Sequence, residues 1–298
     1  MATATLNHFL ANIMARSLNS GVVNTGPRGT QVPFYIFAGQ SNTGNTPASG
    51  ITGSATASYS ESLAITNAYI YNPVYTGSTT FTSMSTGLNT IIANGFYPDT
   101  FGSEVSLMFN LNSASAGKRY MVKYGVGNTS LAVDWNSTTP GALYSGLLSA
   151  VDTAIGILVP SGSIPVLKAF IWMQGETDAT DITQSNNYLS NLNNFFTNFK
   201  SHYAGKVTSY NLPTSSNNFL TIIGRINATF PSGTYPFRTT VRSAEVEYCS
   251  TSSNNAVFIN TDGYDNNSSV HYVQSGQIQF GVDQFVDVNT YYSSSGSF

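Results

Sequence analysis

The sequence predicts an α/β protein built on a parallel sheet with helices on both sides. Two observations lead there, and a third says where the chemistry belongs. From Val32 onward, short β-prone apolar runs alternate with helix-length amphipathic segments, the pattern of βαβ units. The runs are apolar without alternation, as strands covered on both faces are. Several of them stop abruptly at polar, glycine-containing segments. In open parallel sheets, ligands sit outside the carboxyl ends of the strands.

The elements follow in order. Residues 6–17 place Leu6, Phe9, Leu10, Ile13 and Met14 at helical spacing, and residues 18–31 are rich in Ser, Asn, Gly and Thr. Residues 1–31 therefore read as an amphipathic arm and linker, and 32–298 as one domain. The arm serves either to pack on the domain or to dock on a partner. Strands are expected at 33–39, 119–125, 165–173, 218–224 and 255–260. Helices are expected between them. Over 143–159, Leu143, Leu147, Leu148, Val151, Ile155 and Leu158 share one helical face; over 186–203, Tyr188, Leu192, Phe195, Phe196 and Phe199 do so. Both stripes read as core-facing. Residues 45–100 break the alternation. They form a long polar connection, with a short strand at Ala68–Tyr71, that leads to a helix near 103–116. Connections of that length inside a domain are often functional.

Composition narrows the classes. Hydrophobic residues make up 41% of the 298, enough for a sizeable core, and charged residues only 8%, against about 25% in an average soluble protein. Eleven basic and fourteen acidic residues leave a net charge of −3, so a basic surface for nucleic acid is not expected. No apolar run approaches the roughly 18 residues of a membrane span. Cys249 is the only cysteine, which excludes an intrachain disulfide and a cysteine zinc cluster. The amino terminus lacks the basic and apolar regions of a Sec signal. The expectation is a protein that stays inside the cell or leaves by another route, such as release within a virus particle. A surface this neutral suits an assembly, or work among polysaccharides.

The polar strand ends carry the candidate chemistry. Phe34-Tyr-Ile-Phe-Ala-Gly-Gln-Ser-Asn ends a strand and presents Ser41. Gly125-Val-Gly-Asn-Thr-Ser-Leu131 ends the next, and Gly127 there permits close approach of a backbone N–H. Ala169-Phe-Ile-Trp-Met-Gln-Gly-Glu-Thr-Asp178 brings out Gln174, Gly175, Glu176 and Asp178. His271 follows Thr261-Asp-Gly-Tyr-Asp265. The other two histidines, His8 and His202, read as surface residues. A hydroxyl nucleophile needs a base in reach, and the base an orienting acid. Ser41, His271 and an acid from Glu176 or the 262–265 loop meet that need. Ser41 N–H, Gly127 N–H and the Gln174 side chain are candidate oxyanion donors.

On these residues the chain resembles the SGNH-type hydrolases, in the branch of sialate O-acetylesterases and family-six acetylxylan esterases. Gly39-Gln-Ser-Asn42 resembles the nucleophile block and Phe101-Gly-Ser-Glu104 a Phe-Gly-Pro-Glu helix start. Gly127-Asn-Thr-Ser-Leu131 resembles Gly-Gly-Thr-Ser-Leu, with Trp135 shortly after. Gln174-Gly-Glu-Thr-Asp178 resembles Gln-Gly-Glu-Ser-Asp. The blocks keep the family's order over about residues 32–290. The resemblance implies a three-layer α/β/α sandwich with a five-stranded parallel sheet. It also implies removal of O-acetyl groups from carbohydrate through an acyl-enzyme on Ser41, with no cofactor and no metal. The last block departs: Ser268 and Ser269 stand where many relatives carry an Asp before the catalytic His. In some relatives the Glu of the Gln-Gly-Glu block supplies the acid. Glu176 is therefore the first choice, with Asp265 and Asp262 in reserve. The competing reading is a glycan-binding or structural protein of a virion or tail assembly, held together through residues 1–30, that keeps the fold without the chemistry. A lipase of the same superfamily fits less well, because the Gln-Gly-Glu block belongs to the carbohydrate branch.

Overall fold

Six parallel strands and one antiparallel edge strand make the central sheet. The computed structural model describes residues 29–48, 64–76, 78–266 and 270–295. The expected arm helix over 6–17, His8, and the Ser268 and Ser269 positions lie outside the described residues. The strands are β1 (Thr30–Gly39), β2 (Thr46–Pro47), β3 (Ala64–Tyr71), β4 (Thr82–Ser85), β5 (Thr100–Phe101), β6 (Arg119–Gly125), β7 (Ser163–Met173), β8 (Leu220–Arg225) and β9 (Ala256–Asn260). The main helices are α1 (Glu104–Ala114), α2 (Ala142–Leu158), α3 (Ile182–Ser209), α4 (Arg238–Ser250) and α5 (Gln274–Ser295). Sheet order is β4-β3-β6-β1-β7-β8-β9, and β2 pairs with β5 in a separate antiparallel ribbon.

The five strands expected from residues 32 onward are all present, the short strand expected at Ala68–Tyr71 lies within β3, and with β4 the sheet has seven strands instead of five. Both added strands come from the long connection. The start of β3 and the whole of β4 carry a weak signal in the sequence, for a physical reason. β3 opens on the exposed or polar Ala64, Thr66 and Asn67, and Asn67 has φ 57°, which interrupts the extended run. β4 buries only Met84 among its four residues.

Burial on both faces explains the unbroken apolar runs. Phe34, Tyr35, Ile36, Phe37 and Ala38 of β1 are all buried. α1 packs with α5, and α3 packs with α4, so the sheet is covered on each side by helices. α3 is longer than the expected 186–203 because Asp181 caps it: its carboxylate accepts from Thr183 N–H at 2.8 Å and Gln184 N–H at 2.9 Å. α4 falls in an interval where a helix is expected, but its bounds are hard to read because its buried stripe of Val241, Ala244, Glu245 and Tyr248 contains a glutamate. No helix among the described residues is long and apolar enough to cross a membrane.

The register does most to position a site. Gly39 of β1 lies beside Gly125 of β6 and Met173 of β7. Three polar segments therefore leave the sheet at one level, around the central strand. The chain passes from β1 out to β3, returns at β6 and then crosses to β7, so this edge is also where the winding changes side.

Candidate active site

Ser41 opens a single 3-10 turn, Ser41–Thr43, directly after β1. The chain can turn there because Gly39 has φ 141°, and a Cβ on it would strike Met173 O. Gln40 N–H donates to that same Met173 oxygen at 2.9 Å. Beneath the turn lies a buried ion pair. Lys123 Nζ donates to Glu104 Oε1 at 2.6 Å and to Thr90 O at 2.5 Å, and Gly102 N–H donates to Glu104 Oε1 at 3.1 Å. Burial pushes the Glu104 carboxyl up and the Lys123 ammonium down, and their mutual attraction opposes both shifts. This is what the Phe101-Gly-Ser-Glu104 block does: it supports the serine turn from below.

The other blocks are knitted to each other by side chains. Gln40 Oε1 accepts from Gln174 Nε2 at 3.1 Å and from Thr177 N–H at 3.3 Å. Asp178 accepts from Gln174 Nε2 at 2.7 Å, Leu131 N–H at 2.8 Å and Ala132 N–H at 3.1 Å. Asp178 thus ties the 174–178 segment to the 127–131 segment. Asn128 has φ 59°, a left-handed backbone that Gly and Asn adopt more readily than other residues. That explains why the resembling block can carry Gly where this chain has Asn.

Glu176 is fully buried and bonded to Asn42, whose Nδ2 donates to Glu176 Oε1 at 2.6 Å. Among the described residues, Glu176 Oε2 has no hydrogen-bond partner. Burial raises the Glu176 carboxyl to about 7; the Asn42 bond opposes the rise, and the nearby Asp178 charge adds to it. Asn42 also donates to Val270 O at 2.9 Å, and its Oδ1 accepts from Tyr272 N–H at 3.2 Å. One asparagine therefore joins the serine turn, the carboxylate and the two neighbours of His271. Thr46 Oγ1 donates to Tyr272 O at 2.6 Å, and Gln277 Nε2 donates to Asn42 O at 3.1 Å, which fasten the His271 loop further.

His271 Nε2 lies 3.4 Å from Asn45 Nδ2. Asn45 Oδ1 accepts from Phe96 N–H at 2.7 Å, which assigns the oxygen side of its amide. The amide NH2 can only donate, so it pairs with Nε2 only in the tautomer that carries the ring proton on Nδ1. Burial lowers the His271 pKa, which also favours the neutral ring. Among the described residues no hydrogen bond joins Ser41 Oγ to His271; the two sit on adjacent loops held together through Asn42. The Phe96 ring meets the imidazole edge-on, with centroids 5.4 Å apart.

The remaining expected site residues are placed as follows. Gly127 lies where a Cβ would come within 2.6 Å of Asn94 O, and its N–H donates to Ala93 O at 2.9 Å. The expected oxyanion role is at odds with that bond, because the single hydrogen is already engaged. Gln174 Nε2 is likewise turned inward, to Gln40, Thr129 O and Asp178. The reserve acid Asp262 is taken by arginines: Arg242 binds it through both nitrogens at 2.7 and 2.8 Å, and Arg225 binds it at 2.9 Å. Burial there works to raise its carboxyl, but the Arg242 bond, the Ala228 N–H and both arginine charges outweigh it and hold it low. Asp265 is exposed, and its carboxylate accepts from Ser275 Oγ at 3.3 Å. Asn42, Asn45 and Phe96 are the residues that sequence reasoning missed. The first sits inside the serine block, and the last belongs to an aromatic pair in a polar loop; those were the available signals. A cavity of about 540 Å³ lies elsewhere, at the amino ends of the strands, lined by residues such as Pro33, Lys168 and Tyr292, and includes none of these groups.

A serine at the end of a central parallel strand, a half-buried histidine on the adjoining loop and a buried glutamate thus gather at one edge of an α/β sheet. The sequence model of the family described as carbohydrate esterase, sialic acid-specific acetylesterase matches residues 31–287. The chain belongs to that family and is a carboxylic ester hydrolase acting on carbohydrate. No curated protein sequence matches it. Among solved structures, the fold is similar to a protein from Arabidopsis thaliana, at 14% identity and TM-score 0.62, covering 88% of this chain and 98% of that one. It is similar to NanS at 11% identity and TM-score 0.60, covering 90% and 99%. It is also similar to a carbohydrate acetylesterase from Xanthomonas citri at 13% identity and TM-score 0.56, covering 86% of this chain and 55% of that one.

Proposed function

We propose that this protein removes O-acetyl groups from carbohydrate through an acyl-enzyme on Ser41. The observation that carries the reading is the Asn42 junction. It holds the Ser41 turn, the Glu176 carboxylate and the His271 loop as one unit. In the first step His271 Nε2 takes the Ser41 proton as Oγ bonds to the acetyl carbonyl carbon. The tetrahedral adduct collapses, the bond to the sugar oxygen breaks, and that oxygen takes the proton from His271. In the second step His271 deprotonates a water that attacks the acetyl-serine. Acetate leaves and Ser41 regains its proton.

Glu176 is the site's acid in this reading. It acts on His271 through Asn42 and the backbone of Val270 and Tyr272, and its negative charge favours the imidazolium that forms. Ser41 N–H, at the start of its turn, is the oxyanion donor. Gly127 and Gln174 serve that donor set by shaping and bracing the wall around it. Acetylated sugars, including sialic acid-like ones, are the substrate class. Ser41→Ala should abolish acetate release from an aryl acetate and from acetylated glycan while leaving the thermal unfolding transition in place. Undiminished release by that variant would refute the reading.

A further inference from the structure

The loop beside His271 carries an exposed aromatic pair with no task in the chemistry above. Phe96 is 74% exposed and Tyr97 49%. Single exposed apolar residues are common, so exposure alone says little. Position and anchoring set this pair apart. Phe96 N–H is held by Asn45 Oδ1 at 2.7 Å, and the same asparagine faces His271. The ring touches the imidazole by its edge, which leaves most of its surface to solvent. At its start the loop is bridged to the segment after β6: Ala93 N–H donates to Gly125 O at 3.0 Å and Gly127 N–H to Ala93 O at 2.9 Å. The aromatic pair is thus fixed to the serine turn on one side and to the 125–127 segment on the other.

We infer that Phe96, with Tyr97, is a stacking platform for the sugar ring that bears the acetyl ester, and so a specificity-determining residue of the site. A pyranose ring has an apolar face of C–H bonds, weakly positive, that complements the negative face of an aromatic ring. Covering exposed aromatic surface also removes apolar area from water. Charged residues make up only 8% of the chain, so recognition of a sugar ring through shape and stacking fits its composition. The inference rests on the reading of Ser41 as the esterase nucleophile and adds the part of the substrate that is recognised.

The experiment has two arms. In the first, Phe96→Ala, Phe96→Leu and Phe96→Trp are assayed on acetylated xylan, on an O-acetylated sialoglycan and on an aryl acetate. Phe96→Ala and Phe96→Leu should lower the ratio of glycan to aryl acetate kcat/KM by about 10-fold on at least one glycan, mainly through KM, and Phe96→Trp should keep the ratio. Equal losses on all substrates would mean that Phe96 acts only through His271 and would overturn the inference, as would an unchanged ratio. In the second arm, each change is placed on Ser41→Ala, which should bind without turnover. Affinity electrophoresis in gels containing the glycan affected in the first arm should show retardation for Ser41→Ala and for its Phe96→Trp double variant, lost with Phe96→Ala and Phe96→Leu. Retardation indifferent to residue 96, or none for Ser41→Ala, overturns the platform. Catalysis plays no part in this arm, so its failure is distinct from failure of the esterase reading.

Discussion

Replacing Asn42 with Ala would test how the site's acid communicates with its base. Asn42 is fully buried and makes three bonds that reach across the molecule: to Glu176, to Val270 O and from Tyr272 N–H. Truncation leaves a part-buried carbonyl and a buried N–H unpaired, and Glu176 loses a charge-assisted donor. Each unpaired group costs about 1–3 kcal/mol, so a loss of roughly 3 kcal/mol of folding stability is expected, read as a lower urea midpoint. The sharper readout is pH. The Glu176 carboxyl stands at about 7, and the Asn42 bond is the larger of the two hydrogen bonds that hold it from rising further. A hydrogen bond to a charged group is worth about 1.5–3 kcal/mol, and 1.36 kcal/mol corresponds to one pH unit. The acid limb of kcat/KM on an aryl acetate, near 7 in the wild type, should therefore move up by about one unit or more in Asn42→Ala. The reasoning fails if the limb stays in place in the variant. It fails equally if the wild-type limb lies below 6.5, because His271, whose pKa is lowered from that value, would then set the profile alone.

Two further predictions concern stability. The folded Glu176 binds its proton more tightly than the unfolded chain does, so between pH 4.5 and about 7 the folded state holds more protons and stability falls as pH rises. That loss is about 3 kcal/mol at full extent; Glu176→Gln should flatten the wild-type fall in Tm across this window, and an identical pH dependence in the two proteins would contradict the assignment. Lys123→Met should leave Glu104 buried without its cation and cost about 3–5 kcal/mol, whereas adding Glu104→Gln should recover part of it. A single variant within about 1 kcal/mol of wild type in urea unfolding would show that the pair is not needed beneath the serine turn.

Much of the fold was legible because burial writes itself into the sequence. Phe34–Ala38 and Ala169–Met173 are covered on both faces, so every residue is apolar and each strand end is marked by the first polar residue. Ser41, Gln174 and Glu176 could be read in the same way, as polar residues following an apolar run. β4 could not, with one buried side chain, nor could the core stripe of α4, which includes Glu245. The commitment of Asp262 to Arg225 and Arg242 was also invisible, since those partners lie 37 and 20 residues away.

The sequence by itself determined the parallel α/β sheet, the serine at its edge and the family's ordered blocks, because local periodicity and composition carry those. Only the tertiary structure decided how the blocks meet. The register of β1 between β6 and β7 sets three loops at one level. Asn42 then reaches Glu176 across 134 residues of chain, and Asn45 reaches His271 across 226. Such contacts leave no periodic trace, because a side-chain amide bonds whatever the closed fold brings within about 3 Å of it.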